Sequence, residues 1–369
     1  MRNIVIYGLS ESLGGIETII LALVRRLINC YKFTIVLSDK DNCGYLDRIP
    51  SEVSVVNLTS WGRNPHKFQE EFRLLLNEIN CDFVWVNACV TSNRNLIKAI
   101  KSSNVPTRLI THSHGTNYEN DGFFKSIIVK TLHRFNRNLY NKTASLKWAC
   151  SIKAAEWFYG KNEVGNVTII NNGIDTNKFK YNEAVRNQMR KSFNCVDSLV
   201  CLHIGRLTQV KNQSYVLNVF SEICKYNPNS LLFIAGIGEL ESQLKIEAVS
   251  LGIENKVKFL GQYSSVHELY NMSDVFLLPS IHEGMPLTLV EAQCAGLHCY
   301  VSSTISKEVC LSSFLSFLPI SESPSVWAKQ ILSRKCEPQR DLGRIEIIQA
   351  GFDIEGISNQ VLSMINSVQ

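Results

Sequence analysis

The feature that most constrains the fold is a regular alternation of short apolar runs with longer amphipathic stretches. The apolar runs are almost continuously hydrophobic and rich in β-branched residues, which is typical of strands buried on both faces of a parallel sheet. The first half contains seven predicted strands: Asn3–Tyr7, Phe33–Leu37, Val53–Leu58, Phe83–Asn87, Arg108–Thr111, Leu146–Cys150 and Val167–Ile170. The second half contains five: Leu199–Ile204, Leu231–Ala235, Val257–Leu260, Val275–Leu278 and Cys299–Ser302. The alternation predicts a doubly wound α/β fold.

The length of 369 residues favours two domains, because single hydrophobic cores rarely grow that large. We predict a first domain over residues 1–180, a second over 181–350, and a C-terminal segment over 351–369 that contains a helix at Ile354–Ile365. In doubly wound folds, ligands bind outside the carboxyl ends of the strands. A cleft between two such domains is therefore the expected site.

Charge is distributed unevenly along the chain. Residues 1–180 carry 23 Lys/Arg and 15 Asp/Glu (+8), and residues 181–369 carry 15 and 18 (−3), which sums to the net charge of +5. Much of the basic excess lies between residues 125 and 147. It indicates either a solvated helix face or contact with an anionic membrane surface or a phosphorylated acceptor. No recognised nucleic-acid-binding motif accompanies the charge, so nucleic acid is not an expected partner.

The cysteines and the N-terminus indicate the cellular compartment of the protein. The twelve cysteines include no CxxC pair, which favours a reducing environment over a disulfide framework or a zinc site. The N-terminus lacks the pattern of a signal peptide, and no apolar stretch reaches the roughly 18–20 residues of a membrane span. We therefore expect a cytoplasmic protein; if the basic segment contacts a membrane, that contact is peripheral and on the inner face.

Two segments of the first half carry candidate site residues. Gly14 and Gly15 precede a predicted helix, where backbone amides attract phosphate, although the same residues also suit a plain strand-to-helix turn. His112 and His114 follow an apolar strand. Without a nearby carboxylate or cysteine they do not make a metal site, and they suit a general base or hydrogen bonding to substrate.

Two segments of the second half carry the other candidates. The loop from Gly205 to Asn212 places Arg206 and Lys211 before a predicted helix, a combination suited to a diphosphate. The segment from Ser280 to Glu291 puts Glu283 on a loop and Glu291 inside the following helix. Amides at the start of that helix offer an anion site, and carboxylates beside phosphate sites commonly bind hydroxyl groups.

In this order the motifs resemble those of the family 4 retaining glycosyltransferases, which have the GT-B fold of two Rossmann-like domains. The resemblance covers almost the whole chain, from Gly14-Gly15-x-Glu17 through the HxH segment to the E-x7-E element that ends at Glu291. It is strongest with the bacterial group that makes capsule, exopolysaccharide and O-antigen repeats. It implies transfer of a hexose-type sugar from a nucleotide sugar, expected to be UDP-linked, to a glycan or polyprenyl-diphosphate-linked acceptor.

The resemblance also implies residue roles. We expect the reaction to need no cofactor and no divalent metal, because no DxD-like carboxylate cluster stands at a strand end and Arg206, Lys211 and helix amides can stabilise the charge. Arg206 and Lys211 are expected to neutralise the donor diphosphate, Glu291 to hold the ribose and Glu283 to meet the transferred sugar. His114 is expected to act at the acceptor side. The remaining implied contacts are donor-binding residues Gly14, Gly15, Gly205, Gly284, Met285, Pro286 and Leu287, and acceptor-side residues His112 and Asn117. The C-terminal helix is expected to cross back to the first domain.

Two other functions share a two-domain α/β architecture. A nucleotide-sugar epimerase would bind the same donor without an acceptor, and its product would be a free epimer rather than a glycoside. A periplasmic-type binding protein also has two lobes around a cleft, but the missing signal peptide and the free cysteines argue against it.

Overall fold

The computed structural model describes residues 1–115, 123–334 and 339–368, and these divide into two compact units. The first unit is Met1–Asn172 with Ile354–Gln369, and the second is Gly173–Asp353. The predicted boundary at residues 180 and 181 falls inside the second unit. The chain joins this unit earlier because Ile174 N–H donates to Phe352 O at 2.9 Å and the Thr176 hydroxyl donates to Asp353 Oδ1 at 2.6 Å.

The first unit is built around a seven-stranded parallel sheet, whose strand order is β3-β2-β1-β4-β5-β6-β7. Its strands are β1 Arg2–Tyr7, β2 Tyr31–Leu37, β3 Ser54–Asn57, β4 Phe83–Ala88, β5 Arg108–Ser113, β6 Ala144–Ala149 and β7 Thr168–Ile169. The helices that alternate with them are α1 Gly15–Leu27, α2 Pro65–Glu78, α3 Arg94–Lys101, α4 Phe123–Thr143 and α5 Ile152–Tyr159. The strand order reverses between β1 and β4, as in doubly wound folds.

The second unit has a six-stranded parallel sheet in the order β10-β9-β8-β11-β12-β13. Its strands are β8 Leu199–Ile204, β9 Ser230–Ala235, β10 Val257–Gly261, β11 Val275–Leu278, β12 His298–Ser302 and β13 Leu315–Leu318. Its helices are α6 Thr176–Phe179, α7 Glu183–Ser192, α8 Gln213–Tyr226, α9 Glu241–Ser250, α10 Val266–Met272, α11 Leu287–Cys294, α12 Pro324–Leu332 and α13 Asp341–Gln349. Apolar clusters cover both faces of this sheet, and its order reverses between β8 and β11.

The last helix, α14 at Ile354–Ser367, belongs to the first unit although the chain reaches it from the second. It packs against α1, and Arg2 Nη1 donates to Ile365 O at 2.8 Å. The Tyr31 hydroxyl at the start of β2 donates to Asn366 Oδ1 at 2.9 Å.

The doubly wound class and all twelve predicted strands are confirmed, with ends that differ by one or two residues. The sequence analysis missed β13. This strand at the sheet edge is four residues long and only half-buried throughout, so it lacks the continuous apolar run of a central strand.

Candidate functional site

The glycines before α1 have different surroundings. The buried Glu17 carboxylate accepts hydrogen bonds from the Ser10 amide at 2.8 Å and the Gly14 amide at 3.0 Å, which closes the β1–α1 loop onto the helix start. A side chain at Gly14 would lie 2.9 Å from this carboxylate, whereas one at Gly15 would meet nothing within 4 Å. Gly14 therefore serves the helix cap, and Gly15 borders space that a ligand can fill.

His112 on β5 is fully buried. Its ring stacks on Trp85 with centroids 6.2 Å apart and meets the Trp148 ring edge-on at 5.9 Å. Burial lowers the pKa of His112 well below its usual value, so the imidazole is neutral. The structure places His112 behind His114, whose ring centroid lies 4.0 Å away, rather than at a surface where an acceptor could touch it.

His114 follows β5 and lies against the end of β4. Its Nε2 is 2.9 Å from Asn87 Oδ1, and burial lowers its pKa to about 3. With Nε2–H donating to Asn87, the neutral ring keeps Nδ1 as an acceptor, and this atom has no partner among the described residues. Such a ring suits acceptance of a hydrogen bond better than removal of a proton. The predicted neighbour Asn117 lies outside the described residues.

In the second unit, the loop after β8 is held against the turn after β9. The amide of Leu207 donates to Ile237 O at 3.0 Å. Gly236 has φ +141°, and a side chain there would come within 1.9 Å of Gly205 O. Only glycine allows this approach, so the Gly-Ile-Gly turn fixes the backbone of the predicted diphosphate loop.

A buried pair that the sequence analysis missed anchors the same loop. His203, at the end of β8, donates from Nδ1–H to Leu277 O at 2.8 Å. Its Nε2 lies 3.1 Å from Gln213 Nε2, which also donates to Arg206 O at 2.8 Å. Burial lowers the pKa of His203 to about 4, so Nε2 remains an acceptor at neutral pH. The network ties β8, β11 and the start of α8 to the backbone of Arg206.

The two cations of this loop differ in their contacts. Lys211 Nζ forms an ion pair with Glu283 Oε1, and the two side chains are 21% and 13% exposed. Arg206 is exposed and makes no ion pair with the described residues. The structure thus brings together two residues from separate loops, after β8 and after β11, that were predicted to act at one site.

The β11–α11 loop presents backbone amides beside this ion pair. Pro286 is the N-cap of α11, with φ −71° and ψ 117°, and Leu287 is the first helical residue. Within the described chain, the amides of Gly284, Met285 and Leu287 have no hydrogen-bond acceptor. A side chain at Gly284 would meet nothing within 4 Å. Unpaired amides at a helix start form a site for an anion.

Glu291 lies in α11 and is half-buried. The hydroxyl of Tyr270, on α10, donates to Glu291 Oε2 at 2.8 Å. Burial raises the pKa of Glu291 to about 7, against the lowering effects of the Tyr270 hydrogen bond and the charge of Lys178. The carboxyl group is therefore poised to titrate near neutral pH.

Helix α4 carries exposed apolar residues on one face. Ile127, Ile128, Leu132 and Phe135 are 47%, 59%, 39% and 79% exposed, and they lie within one side of the helix at 100° per residue. Arg134 is exposed beside them, whereas Arg137 donates inward to Trp157 O at 3.0 Å. This mixed apolar and basic face is typical of helices that lie on a membrane surface.

The part of the chain that the structure describes contains neither a candidate membrane span nor a cluster of metal-ligating side chains. In those residues, no helix combines the length and the apolar character needed to cross a bilayer. No three His, Cys, Asp or Glu side chains there lie close enough together to hold a metal ion.

The chain is similar in sequence to known glycosyltransferases. Residues 185–307 match the family model described as "Glycosyl transferases group 1". The chain is 29% identical over 363 residues to the putative glycosyltransferase EpsF of Bacillus subtilis (strain 168), covering 96% of this chain and 93% of EpsF. It is 26% identical over 337 residues to the capsular polysaccharide biosynthesis glycosyltransferase CapH of Staphylococcus aureus, covering 87% and 88%.

A relative that matches over a shorter stretch and a solved structure with a similar fold extend this comparison. Over 147 residues the chain is 34% identical to UDP-Gal:alpha-D-GlcNAc-diphosphoundecaprenol alpha-1,3-galactosyltransferase of Escherichia coli, covering 37% of this chain and 36% of that enzyme. The crystal structure of Anabaena Alr3699/HepE in complex with UDP is similar with a TM-score of 0.77 at 20% identity, covering 100% of both chains. The two Rossmann-like units therefore have the GT-B fold. Residues 185–307 are similar to group 1 glycosyltransferases, and the similar proteins include a glycosyltransferase of capsular polysaccharide biosynthesis.

Proposed function

We propose that this protein is a retaining glycosyltransferase of bacterial surface polysaccharide synthesis. It transfers a hexose-type sugar from a UDP-linked donor to a glycan or polyprenyl-diphosphate-linked acceptor. The E. coli relative is named for a UDP-Gal donor and a diphosphoundecaprenol-linked acceptor, and the Anabaena protein was crystallised with UDP. The relatives named above are glycosyltransferases, and the epimerase alternative has no support among them.

The observation that carries the proposal is the ion pair between Lys211 and Glu283 where the strand order of the second unit reverses. It joins the loops after β8 and β11, the place where doubly wound folds bind nucleotides. With the exposed Arg206 and the free amides before α11, it forms a cationic site bordered by a carboxylate. This is the charge pattern that a sugar diphosphate requires.

The leaving group is stabilised by protein charges. As the bond between the sugar and the diphosphate breaks, negative charge grows on the departing UDP, and Arg206 and Lys211 neutralise it. The amides at the start of α11 and the positive end of its dipole act in the same direction. These groups perform the charge-stabilising role that a divalent cation has in other transferases, so the reaction needs no metal.

The two carboxylates of the second unit act on different parts of the donor. Glu291 accepts hydrogen bonds from the ribose hydroxyls, as acidic residues of nucleotide-binding folds do. Glu283 leaves its ion pair with Lys211 when the diphosphate arrives and turns to the transferred sugar, which becomes positive in the transition state. The second unit is thus the donor-binding domain.

The first unit, with α14, is the acceptor-binding domain. Gly15 leaves the space beside the β1–α1 loop open to a ligand, because no side chain fills it. His114 lies at the acceptor side with its ring fixed by Asn87, although its Nδ1 is buried and not exposed to an acceptor hydroxyl. His112 supports His114 from behind.

Peripheral contact with the inner face of the cell membrane places this domain near a lipid-linked acceptor. The exposed side chains Ile128 and Phe135 insert at the lipid interface, and Arg134 meets anionic headgroups. Each basic residue near an anionic surface contributes about 1 kcal/mol. Arg134→Glu combined with Phe135→Ser should therefore reduce binding to vesicles with anionic lipid, and equal binding at low salt would contradict the contact.

A screen of UDP-sugars tests the proposed function. Purified protein is incubated with each donor and with membrane extract or short glycans, and products are identified by mass spectrometry and by the NMR signal of the new anomeric proton. We expect one donor to give a glycoside with the donor's own anomeric configuration, in the presence of EDTA as in its absence. An inverted product removes the retaining assignment, full loss in EDTA that Mn²⁺ or Mg²⁺ restores removes metal independence, and a free epimer removes the transferase.

A further inference from the structure

Two adjoining cavities lie at the carboxyl edge of the sheet in the first unit. The inner cavity, of about 260 Å³, lies at the ends of β1, β2 and β3, and the outer cavity, of about 320 Å³, continues it toward the surface. Ser38 and Ser60 line both, so the two form one pocket. Each approaches the lower end of the roughly 300–1,000 Å³ that small-molecule sites occupy.

The pocket presents polar groups that the fold has left available. The Ser60 hydroxyl makes no hydrogen bond with the described residues, and Glu11 uses Oε1 for the Ser38 hydroxyl at 2.6 Å but leaves Oε2 without a partner there. Arg63 is exposed, and although it lines the same cavity as Glu11, the two form no ion pair. One carboxylate, one guanidinium and one hydroxyl therefore remain free to bind hydroxyl groups of a ligand.

An aromatic ring completes the pocket. Trp61 follows β3, and its half-buried side chain packs partly against the apolar core of the unit while lining the inner cavity. A ring that is apolar on its faces and polar at its N–H suits the C–H face of a sugar. Free hydrogen-bonding groups beside an aromatic surface are the chemistry by which proteins recognise saccharides.

The net negative charge of the residues that line the pocket disfavours an anionic ligand. The charged residues that line the two cavities are Glu11, Asp39 and Arg63, which give a formal charge of −1. Phosphate or diphosphate groups would meet two carboxylates and one cation, so their binding is disfavoured. A neutral sugar meets donors and acceptors without this repulsion.

We propose that this pocket binds a neutral sugar residue of the acceptor glycan, an inference that rests on the proposed glycosyltransferase function. Its position supports the assignment. Ser10 lines the inner cavity and donates from both its amide and its hydroxyl to Glu17, the residue that caps α1 beside Gly15. The pocket thus shares a wall with the β1–α1 loop of the domain proposed to bind the acceptor.

The experiment uses the whole protein and saturation-transfer difference NMR with glucose, galactose, N-acetylglucosamine and N-acetylgalactosamine. Each is present at about 10 mM, since a single-sugar site binds in the millimolar range. We expect a signal from at least one sugar, abolished by Ser60→Leu, which fills the pocket, and reduced at least fivefold by Arg63→Ala. Ser54→Leu, at the exposed opposite end of β3, is the matched control and should keep the signal.

Two outcomes overturn the inference. One is the absence of any sugar signal that depends on Ser60, and the other is displacement of the sugar by equimolar inorganic phosphate, which would show an anion site. Calorimetry with UDP on the same variants separates this inference from the proposed function. If UDP binds and no signal depends on Ser60, the pocket assignment fails and the transferase proposal stands. If sugar binding depends on Ser60 while UDP does not bind, the pocket stands and the donor assignment fails.

Discussion

Glu283→Gln should strengthen the binding of free UDP while it slows transfer. In the ligand-free protein the Glu283 carboxylate holds Lys211, so a diphosphate must take the lysine away from its partner. Glutamine has nearly the same shape but no charge, and it releases Lys211 without opening a cavity. The variant therefore gives UDP a cation that is already available.

The burial of the ion pair sets the size of this effect. Both side chains are mostly buried, with 21% and 13% exposed, so solvent screens this pair less than an exposed pair and its attraction is at least about 1 kcal/mol, the upper end of the range for exposed pairs. A gain of about 1 kcal/mol corresponds to a roughly fivefold lower Kd for UDP. The turnover number should fall by about 10²-fold, because the sugar loses a carboxylate that faces its developing positive charge.

Isothermal calorimetry with UDP and steady-state rates with the identified donor measure the two effects. Lys211→Ala supplies the control, since in that background Glu283→Gln releases no lysine and should leave the Kd for UDP within about twofold. Weaker UDP binding by the single variant would refute the reasoning. An equal gain with and without Lys211 would show that Glu283 merely repels the diphosphate.

Three further predictions concern neighbouring residues. Because the pKa of Glu291 is about 7, the affinity for UDP should rise as the pH increases from 6 to 8, and Glu291→Gln should show a flat profile by calorimetry. Gln213→Leu should raise the Kd for UDP about tenfold and also lower the melting temperature, because the buried His203 Nε2 and the Arg206 carbonyl lose their shared N–H donor; retention of wild-type affinity would contradict the anchoring role. Gly15→Ala should fold normally but bind UDP-sugar poorly. Gly8→Ala should fail to fold, as judged by circular dichroism, because Gly8 has φ +96° and a side chain there would lie 2.0 Å from Asn87 O.

Much of the second unit's site follows from local sequence. Buried strands place loops at one sheet edge, and a run such as Gly205 to Asn212 between a strand and a helix carries its charges there whatever the details of packing. The ion pair between Lys211 and Glu283 joins residues 72 positions apart. The sequence predicts that both lie at the site, but not that they bind each other before the donor arrives.

The anchoring of the loop could not be predicted, because its parts have no sequence pattern of their own. His203 is a polar residue inside an apolar strand, and Gln213 is an ordinary first residue of a helix. They anchor the loop through the contact between them and through hydrogen bonds to the carbonyl groups of Leu277 and Arg206. A histidine within an otherwise continuous apolar strand was the available signal, since burying it requires hydrogen-bond partners.

Three glutamates of the recognised motifs differ in role because their carboxylates have different partners. Glu17 accepts hydrogen bonds from Ser10 and Gly14 and is committed to the helix cap, so its oxygens are occupied. Glu283 is paired with Lys211, and under the proposed function an arriving diphosphate takes the lysine and frees the carboxylate. Glu291 accepts one hydrogen bond from Tyr270, and burial raises its pKa to about 7. Hydroxyl groups of a ligand that donate hydrogen bonds to this carboxylate, in place of the water it has lost, favour its ionised form. Because these differences come from partners on other elements, substitution by glutamine should impair folding at the first position, transfer at the second and donor affinity at the third.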